Sequence, residues 1–175
     1  MTRTYPDEPA GPFPSPPSTV TDDEGREILV RTSGAQDFDA LEEMYEAFDP
    51  ADRAQGIPPV DDAAIREWLD TILSRESVNV VAEHDDQVVG HAVLVPDNDE
   101  GYELAIFVLR GYQGAGIGTA LLERLLGCGS DVGVEKVWLT VERWNEPAVA
   151  LYRKIGFETT SAESFEMEMS IRLAD

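Results

Sequence analysis

Cysteine, lysine and histidine are scarce in this sequence, and long apolar runs are missing. Cys128 is the single cysteine among 175 residues. That excludes an internal disulfide and argues against a cysteine-based metal cluster; the residue reads as a small side chain at a helix end. No stretch of about 18 apolar residues occurs, so no membrane-spanning helix is expected. The first residues lack a basic start followed by an apolar core, so a secretory leader is not expected either, and the expected compartment is cytoplasmic. Lysine occurs only at Lys136 and Lys154, and 13 basic residues face 35 acidic ones, a net charge of −22. Nucleic acid needs clustered Lys/Arg and is therefore not an expected partner. Acidity of this degree steers cations, but it also suits a surface kept hydrated in concentrated salt. A halophilic source is the expectation, and little about substrate follows from net charge.

Six of the 11 prolines fall before residue 18, and Asp22, Asp23 and Glu24 follow. Such a segment buries too little apolar surface to order itself, so residues 1–24 are expected to form a mobile tail and residues 25–175 a single domain. Within the domain, Ile28–Arg31 reads as a strand. Asp37–Phe48 reads as a helix capped by Asp37, and Ile65, Trp68, Leu69 and Ile72 mark a second helix starting at Asp61. Val78–Ala82 and Val88–Val95 read as strands joined by the turn His84–Gln87, and Asp97–Gly101 as a second turn.

The most informative stretch is Tyr102–Gly127. Glu103–Val108 suits a buried strand, and Ile117, Leu121, Leu122, Leu125 and Leu126 carry a helical spacing. Gln113-Gly-Ala-Gly-Ile-Gly118 lies between them. Glycines leading into a helix start present bare N–H groups at the positive end of the helix dipole, which makes an anion site. The dinucleotide spacing GxGxxG is absent, since Gly114, Gly116 and Gly118 run as GxGxG. The Walker loop fails because Ile117-Gly118 follows where Lys-Ser/Thr is required. Downstream, Glu135–Val141 reads as a strand. Asn145 then suits an N-cap, Pro147 a first helical turn and Gly156 the position just past the helix end. Phe165–Leu173 alternates as a closing strand.

Gln113, Gly116 and Gly118 match Gln/Arg-x-x-Gly-x-Gly/Ala. Asn145, Ala148, Leu151, Tyr152, Gly156 and Phe157 match Asn-x-x-Ala-x-x-Leu-Tyr-x-x-x-Gly-Phe about 30 residues later. On these two signatures, residues 26–173 or so resemble the GCN5-related N-acetyltransferases (GNAT). The resemblance implies an α/β fold with a central, mostly antiparallel sheet. Its fourth and fifth family strands are parallel and splayed, and helices cover both faces. It also implies acetyl-CoA as co-substrate, no metal, and direct transfer of the acetyl group to a primary amine on a small molecule or peptide. A homodimer through the last strands is an arrangement the sequence does not fix.

By the same resemblance, the backbone of Ile106, Phe107 and Val108 would bind the pantetheine arm, and the Val108 N–H would polarise the thioester. The backbone of Gly114, Ala115, Gly116, Ile117, Gly118 and Thr119 would hold the pyrophosphate, with Gln113 and Asn145 as further cofactor contacts. Tyr152 would donate a proton to the departing thiolate. Glu103 would be the base, directly or through water, with Glu142 as a neighbouring alternative. Close relatives that acetylate ribosomal protein N-termini carry a glutamate where this sequence has Thr140, which cannot act as a base. That departure keeps a second reading open, a non-catalytic acyl-CoA-binding regulatory domain. His84 and His91 read as structural or surface residues. The acceptor pocket would be built by the first two helices, their connection (Phe48–Asp61) and the turn Glu158–Phe165.

Overall fold

The computed structural model describes residues 3–52, 58–74, 76–162 and 165–174. The elements are β1 (Ser18–Thr21), β2 (Glu27–Thr32), α1 (Phe38–Glu46), α2 (Asp62–Ile72), β3 (Val78–His84), β4 (Gln87–Pro96), β5 (Tyr102–Val108), α3 (Ile117–Asp131), β6 (Lys136–Glu142), α4 (Glu146–Ile155), β7 (Glu158–Ala162) and β8 (Glu166–Arg172). Among the described residues the strands form one sheet in the order β1-β2-β3-β4-β5-β6-β8-β7. Every pairing is antiparallel except β5 with β6.

Alternation along the strands separates two apolar layers. Ile28, Val80, Leu94, Leu104, Leu139 and Met169 face α3 and α4, where Leu121, Leu122, Leu125 and Leu126 fill the layer. On the other face Val81, Val93 and Phe107 meet Leu41, Tyr45, Ile65 and Leu69 of α1 and α2. The mixed sheet covered on both sides is the fold expected from the sequence.

Local signals explain most elements. Asp61 caps α2 by accepting from the Ala64 N–H at 3.1 Å. Asp85 and Asp86 both take positive φ, 51° and 64°, as a two-residue hairpin of primed type requires. Asp37 precedes α1 but does not cap it with its side chain. Its carboxylate instead accepts from the Arg31 guanidinium at 2.8 and 3.1 Å, and Arg31 also reaches Glu83 at 2.6 Å.

The N-terminal segment departs from the expected mobile tail. β1 pairs with β2 from Ser18↔Val30 to Thr21↔Glu27, so the sheet begins before residue 25. Upstream, the chain lies along β8. The Ser170 hydroxyl donates to the Thr4 carbonyl, the Arg172 guanidinium to the Pro6 carbonyl, and the Ala10 N–H to the Arg172 carbonyl, at 2.9, 2.7 and 2.7 Å. Gly127 makes room for the crossing over α3, since a Cβ there would run into the Pro14 carbonyl. Prolines disfavour regular local structure, but they do not prevent a segment from finding partners on a finished surface. The turn expected at Glu158–Phe165 also differs. Glu158–Ala162 is an edge strand on β8, and Glu163 and Ser164 lie outside the described residues.

Candidate active site

The site begins where the sheet fails to close. β5 and β6 pair only at Tyr102↔Val137 and Glu103↔Trp138, and beyond those residues the two parallel strands part. The register with β4 decides which β5 groups face the gap. The Leu109 N–H donates to the Val89 carbonyl at 3.0 Å, and residues alternate along an antiparallel ladder. The backbone of Phe107 therefore turns to β4, whereas Ile106 and Val108 turn their N–H and C=O groups to the gap. The expected backbone trio thus resolves into two backbone positions and one side chain. Phe107 is buried among α1 and α2.

A cleft of about 490 Å³ occupies the gap. Ile106, Val108, Gln113, Gly118, Asn145 and Tyr152 all line it, so the two sequence signatures meet here. Gly114 and Gly116 adopt φ of +72° and +90°, and Gly116 is the N-cap of α3. The first intrahelical bond runs from the Ala120 N–H to the Gly116 carbonyl. The N–H groups of Ile117, Gly118 and Thr119 lie in the first turn, ahead of any intrahelical acceptor, the arrangement that the glycines led the sequence reading to expect of an anion site. The side chains of Ala115 and Ile117 are buried, so these two residues can serve a ligand only through their backbone. Asn145 uses its side-chain oxygen to cap α4, accepting from the Ala148 N–H at 3.3 Å.

Asp52, Arg110 and Trp144 of this region escaped the sequence reading or its role assignments. The Gln113 amide donates both to the Val108 carbonyl at 3.0 Å and to Asp52 at 3.2 Å. Asp52 also accepts from Arg110 at 2.7 Å, and Arg110 reaches Asp49 at 2.9 Å. Trp144 is 74% exposed on the cleft wall. Asp52, Arg110 and Trp144 belong to no motif, and only the closeness of the α1–α2 connection to the glycine loop reveals Asp52 and Arg110. Arg53–Ile57, within the connection expected to shape the acceptor pocket, lie outside the described residues.

A second cavity of about 310 Å³ opens on the α1–α2 face. Glu103, Thr140 and Tyr152 line it together with Trp68, Ile72 and Val93. Ile106, Phe107, Thr140 and Tyr152 line both cavities, so the two meet between β5, β6 and α4, with Tyr152 at the join. Burial pushes the Tyr152 hydroxyl up to about 12, so it stays protonated at neutral pH and has a proton to donate in a hydrogen bond. Partial desolvation also raises the Glu103 carboxyl, with Arg3 opposing and Asp97 adding to the shift. Glu142 lines the first cleft only. Residues 158–162 and Phe165 line neither cavity.

A buried relay fixes α1 and α2 over this cavity. The Tyr45 hydroxyl lies 2.6 Å from His91 Nδ1, His91 Nε2 lies 2.7 Å from Asn79 Oδ1, and Asn79 Nδ2 donates to the Ile72 carbonyl at 2.9 Å. The last bond turns the Asn79 oxygen towards His91. Nε2 must then carry the proton, and Nδ1 accepts from Tyr45. Desolvation lowers His91 to about 3, so the ring is neutral. His84 bonds Tyr112 at 2.7 Å and lines neither cavity. Cys128 sits eleven residues into α3, about 16 Å along the axis from the glycine loop. Among the described residues no group of three His, Cys, Asp or Glu side chains could hold a metal, and no helix is long and apolar enough to cross a membrane.

Residues 39–157 match the model of the "Acetyltransferase (GNAT) family". An uncharacterized N-acetyltransferase of Mycobacterium tuberculosis strain H37Rv is 35% identical over 89 residues, which are 50% of this chain and 57% of that protein. The chain thus spans little more than half the length of that relative. The crystal structure of the GNAT domain of S. lividans PAT superposes with a TM-score of 0.74 at 16% identity, covering 90% of this chain and 97% of the other. YncA, a putative acetyltransferase from Salmonella typhimurium solved with acetyl-CoA, gives 0.70 at 20% identity and covers 85% and 95%.

Proposed function

Because the chain belongs to the acetyltransferase (GNAT) family, we propose that it is an N-acetyltransferase moving an acetyl group from acetyl-CoA to a primary amine. The observation that carries this reading is the gap between β5 and β6, which joins the anion-binding loop of α3 to Tyr152 and to the cavity of Glu103.

The residues present fit acetyl-CoA. The first turn of α3 offers backbone N–H groups to the pyrophosphate, and Ile106 and Val108 offer strand-edge groups to the amides of the pantetheine arm. Gln113 and Asn145 border the same cleft. Bound there, acetyl-CoA supplies the thioester carbonyl and the thiolate leaving group.

The amine arrives from the second cavity as an ammonium ion. Glu103 takes one proton from it, directly or through water. The neutral nitrogen forms the C–N bond, the Val108 N–H holds the developing oxyanion, and the C–S bond breaks as the amide forms. Tyr152 donates to the sulfur. A hydroxyl at about 12 is a weaker acid than a thiol at about 8.5, so complete transfer in isolation is uphill by roughly 5 kcal/mol. Tyr152 therefore acts first by stabilising the thiolate through a hydrogen bond, and the thiolate becomes the thiol by taking up the second proton that the nitrogen gives up as the amide forms. Thr140 plays no part as a base, and Cys128 forms no acyl intermediate. The cytoplasm, with a salt-rich interior, is the compartment that suits the acidic surface.

The test is CoA release from acetyl-CoA with the full chain, run with and without amines in dilute and molar salt. Amine-dependent release supports the reading. Tight acetyl-CoA binding without release for any amine favours a regulatory acyl-CoA-binding domain instead.

A further inference from the structure

The second cavity carries information about the acceptor that the family does not. Its walls are mostly apolar, with Trp68 and Ile72 from α2, Val93 and Val95 from β4, and Phe107 from β5. Trp68 and Phe107 pack edge to face with centroids 5.5 Å apart, and Tyr45 meets both rings. Among the described residues Glu103 is the single carboxylate on the lining, and no Lys, Arg or His lines it. The hydroxyls of Thr71, Thr140 and Tyr152 complete the polar groups. Arg3, whose charge reaches Glu103, stacks 3.3 Å over the Trp138 ring and pairs with Glu168 at 3.2 Å, away from the lining.

This charge count restricts what can enter. One ammonium finds one counter-ion at Glu103. A second ammonium against Val93, Val95 or Ile72 would find no counter-ion among the described residues, and a charge drawn out of water without a partner is disfavoured. Among the described residues, a substrate carboxylate or phosphate would meet Glu103 and no cation. A volume of about 310 Å³ stands at the small end of ligand pockets and suits a single ring or a short alkyl arm. Resting on the acetyltransferase reading above, we infer that the acceptor is a small primary monoamine with one apolar arm, aromatic or alkyl, and no second charge. The ammonium lies at Glu103, the arm against Trp68 and Phe107. In the transfer the amine gives one proton to Glu103, gains the acetyl group as an amide, and leaves CoA as the thiol.

Matched pairs test this with the full-length chain. Phenethylamine differs from phenylalanine by a carboxylate, and hexylamine differs from 1,6-diaminohexane by a second ammonium. The expected result is kcat/KM about 100-fold higher for the first member of each pair, and higher for phenethylamine than for a peptide beginning with phenylalanine. Trp68→Ala should raise the KM for phenethylamine at least tenfold and leave acetyl-CoA affinity unchanged. Trp68→Phe, a gentler change, should keep the ranking. Calorimetric titration of each amine into the CoA-loaded protein provides a readout independent of turnover. If the diamine, the amino acid or the peptide equals or beats its partner in release, the monoamine assignment falls while the acetyltransferase reading stands. If the monoamines bind with the expected ranking but no CoA is released, the assignment stands and the acetyltransferase reading falls. Absence of both binding and release for the monoamines overturns the assignment.

Discussion

Acidification is expected to strip stability from this protein through one buried ring. His91 joins Tyr45 of α1 to Asn79 of β3, and Asn79 in turn ties down the last carbonyl of α2. In the unfolded chain a histidine takes a proton near pH 6.5, but burial lowers the native value to about 3. Between these values the unfolded state binds one more proton than the native state. The contribution is therefore fully present above pH 6.5 and is lost as the pH falls towards 3, at about 1.4 kcal/mol per pH unit. From pH 6 to pH 4 the loss is about 2.7 kcal/mol, a large share of the ~5–15 kcal/mol typical of a folded domain. Carboxylates also contribute at low pH, and relief of the net negative charge works against them, so the comparison must be with a variant sharing both. His91→Gln retains an amide that can donate to Asn79 and accept from Tyr45, but it does not titrate. Urea unfolding at pH 7, 6, 5 and 4 in constant molar salt should show the wild type losing its advantage over the variant by about 1.4 kcal/mol per unit below pH 6. A difference that stays constant with pH would refute the neutral, buried ring.

Other expectations concern the site and its supports. Gly116→Ala places a methyl where the nearest atom is an Asp23 carboxylate oxygen at 3.7 Å, so its cost is the φ of +90° rather than a clash. The variant should lose about 1–2 kcal/mol of stability, and acetyl-CoA affinity measured by calorimetry should fall about tenfold as the loop N–H groups shift. Gly127→Val should push the N-terminal segment off α3. Limited proteolysis before residue 18 should accelerate and Tm should fall by several degrees, with CoA release per folded molecule little changed. Partial desolvation raises Glu103 above its ordinary value, so kcat/KM should rise with pH through the raised value and level off once the carboxylate is ionised. Glu103→Gln should remove that limb from the pH–rate profile and lower the plateau by about 100-fold.

Most of what positions the site could be read from local patterns. The glycines of Gln113–Gly118 announce positive φ and a helix start, and the structure places both at Gly114 and Gly116. Asn145, Pro147 and Gly156 announce the limits of α4, which runs from Glu146 to Ile155. The gap itself was legible only through the resemblance, because nothing in the residues of β5 or β6 says that pairing stops after Glu103. The role of Phe107 needed the register with β4, since alternation predicts where side chains point but not which neighbour the backbone bonds. The N-terminal segment was missed because its order comes from distant partners, Ser170, Arg172 and Gly127, and not from its own pattern. β7 reads Glu-Thr-Thr-Ser-Ala, polar up to its last residue, and only pairing with β8 makes it a strand. Trp68 has a helical spacing indistinguishable from a core position, yet it also lines the cavity beside Glu103.

The central claim is that Tyr152 serves the chemistry at the junction of the two cavities. The most direct measurement compares wild type and Tyr152→Phe for amine-dependent CoA release and, separately, for acetyl-CoA affinity. The substitution removes one hydroxyl from a buried ring packed 5.8 Å from Phe157 and keeps the ring. The expected outcome is a fall in kcat of about 100-fold or more, with acetyl-CoA affinity and Tm nearly unchanged. Unchanged turnover in the variant would contradict the role given to Tyr152 and, with it, the placement of the reaction in this cleft.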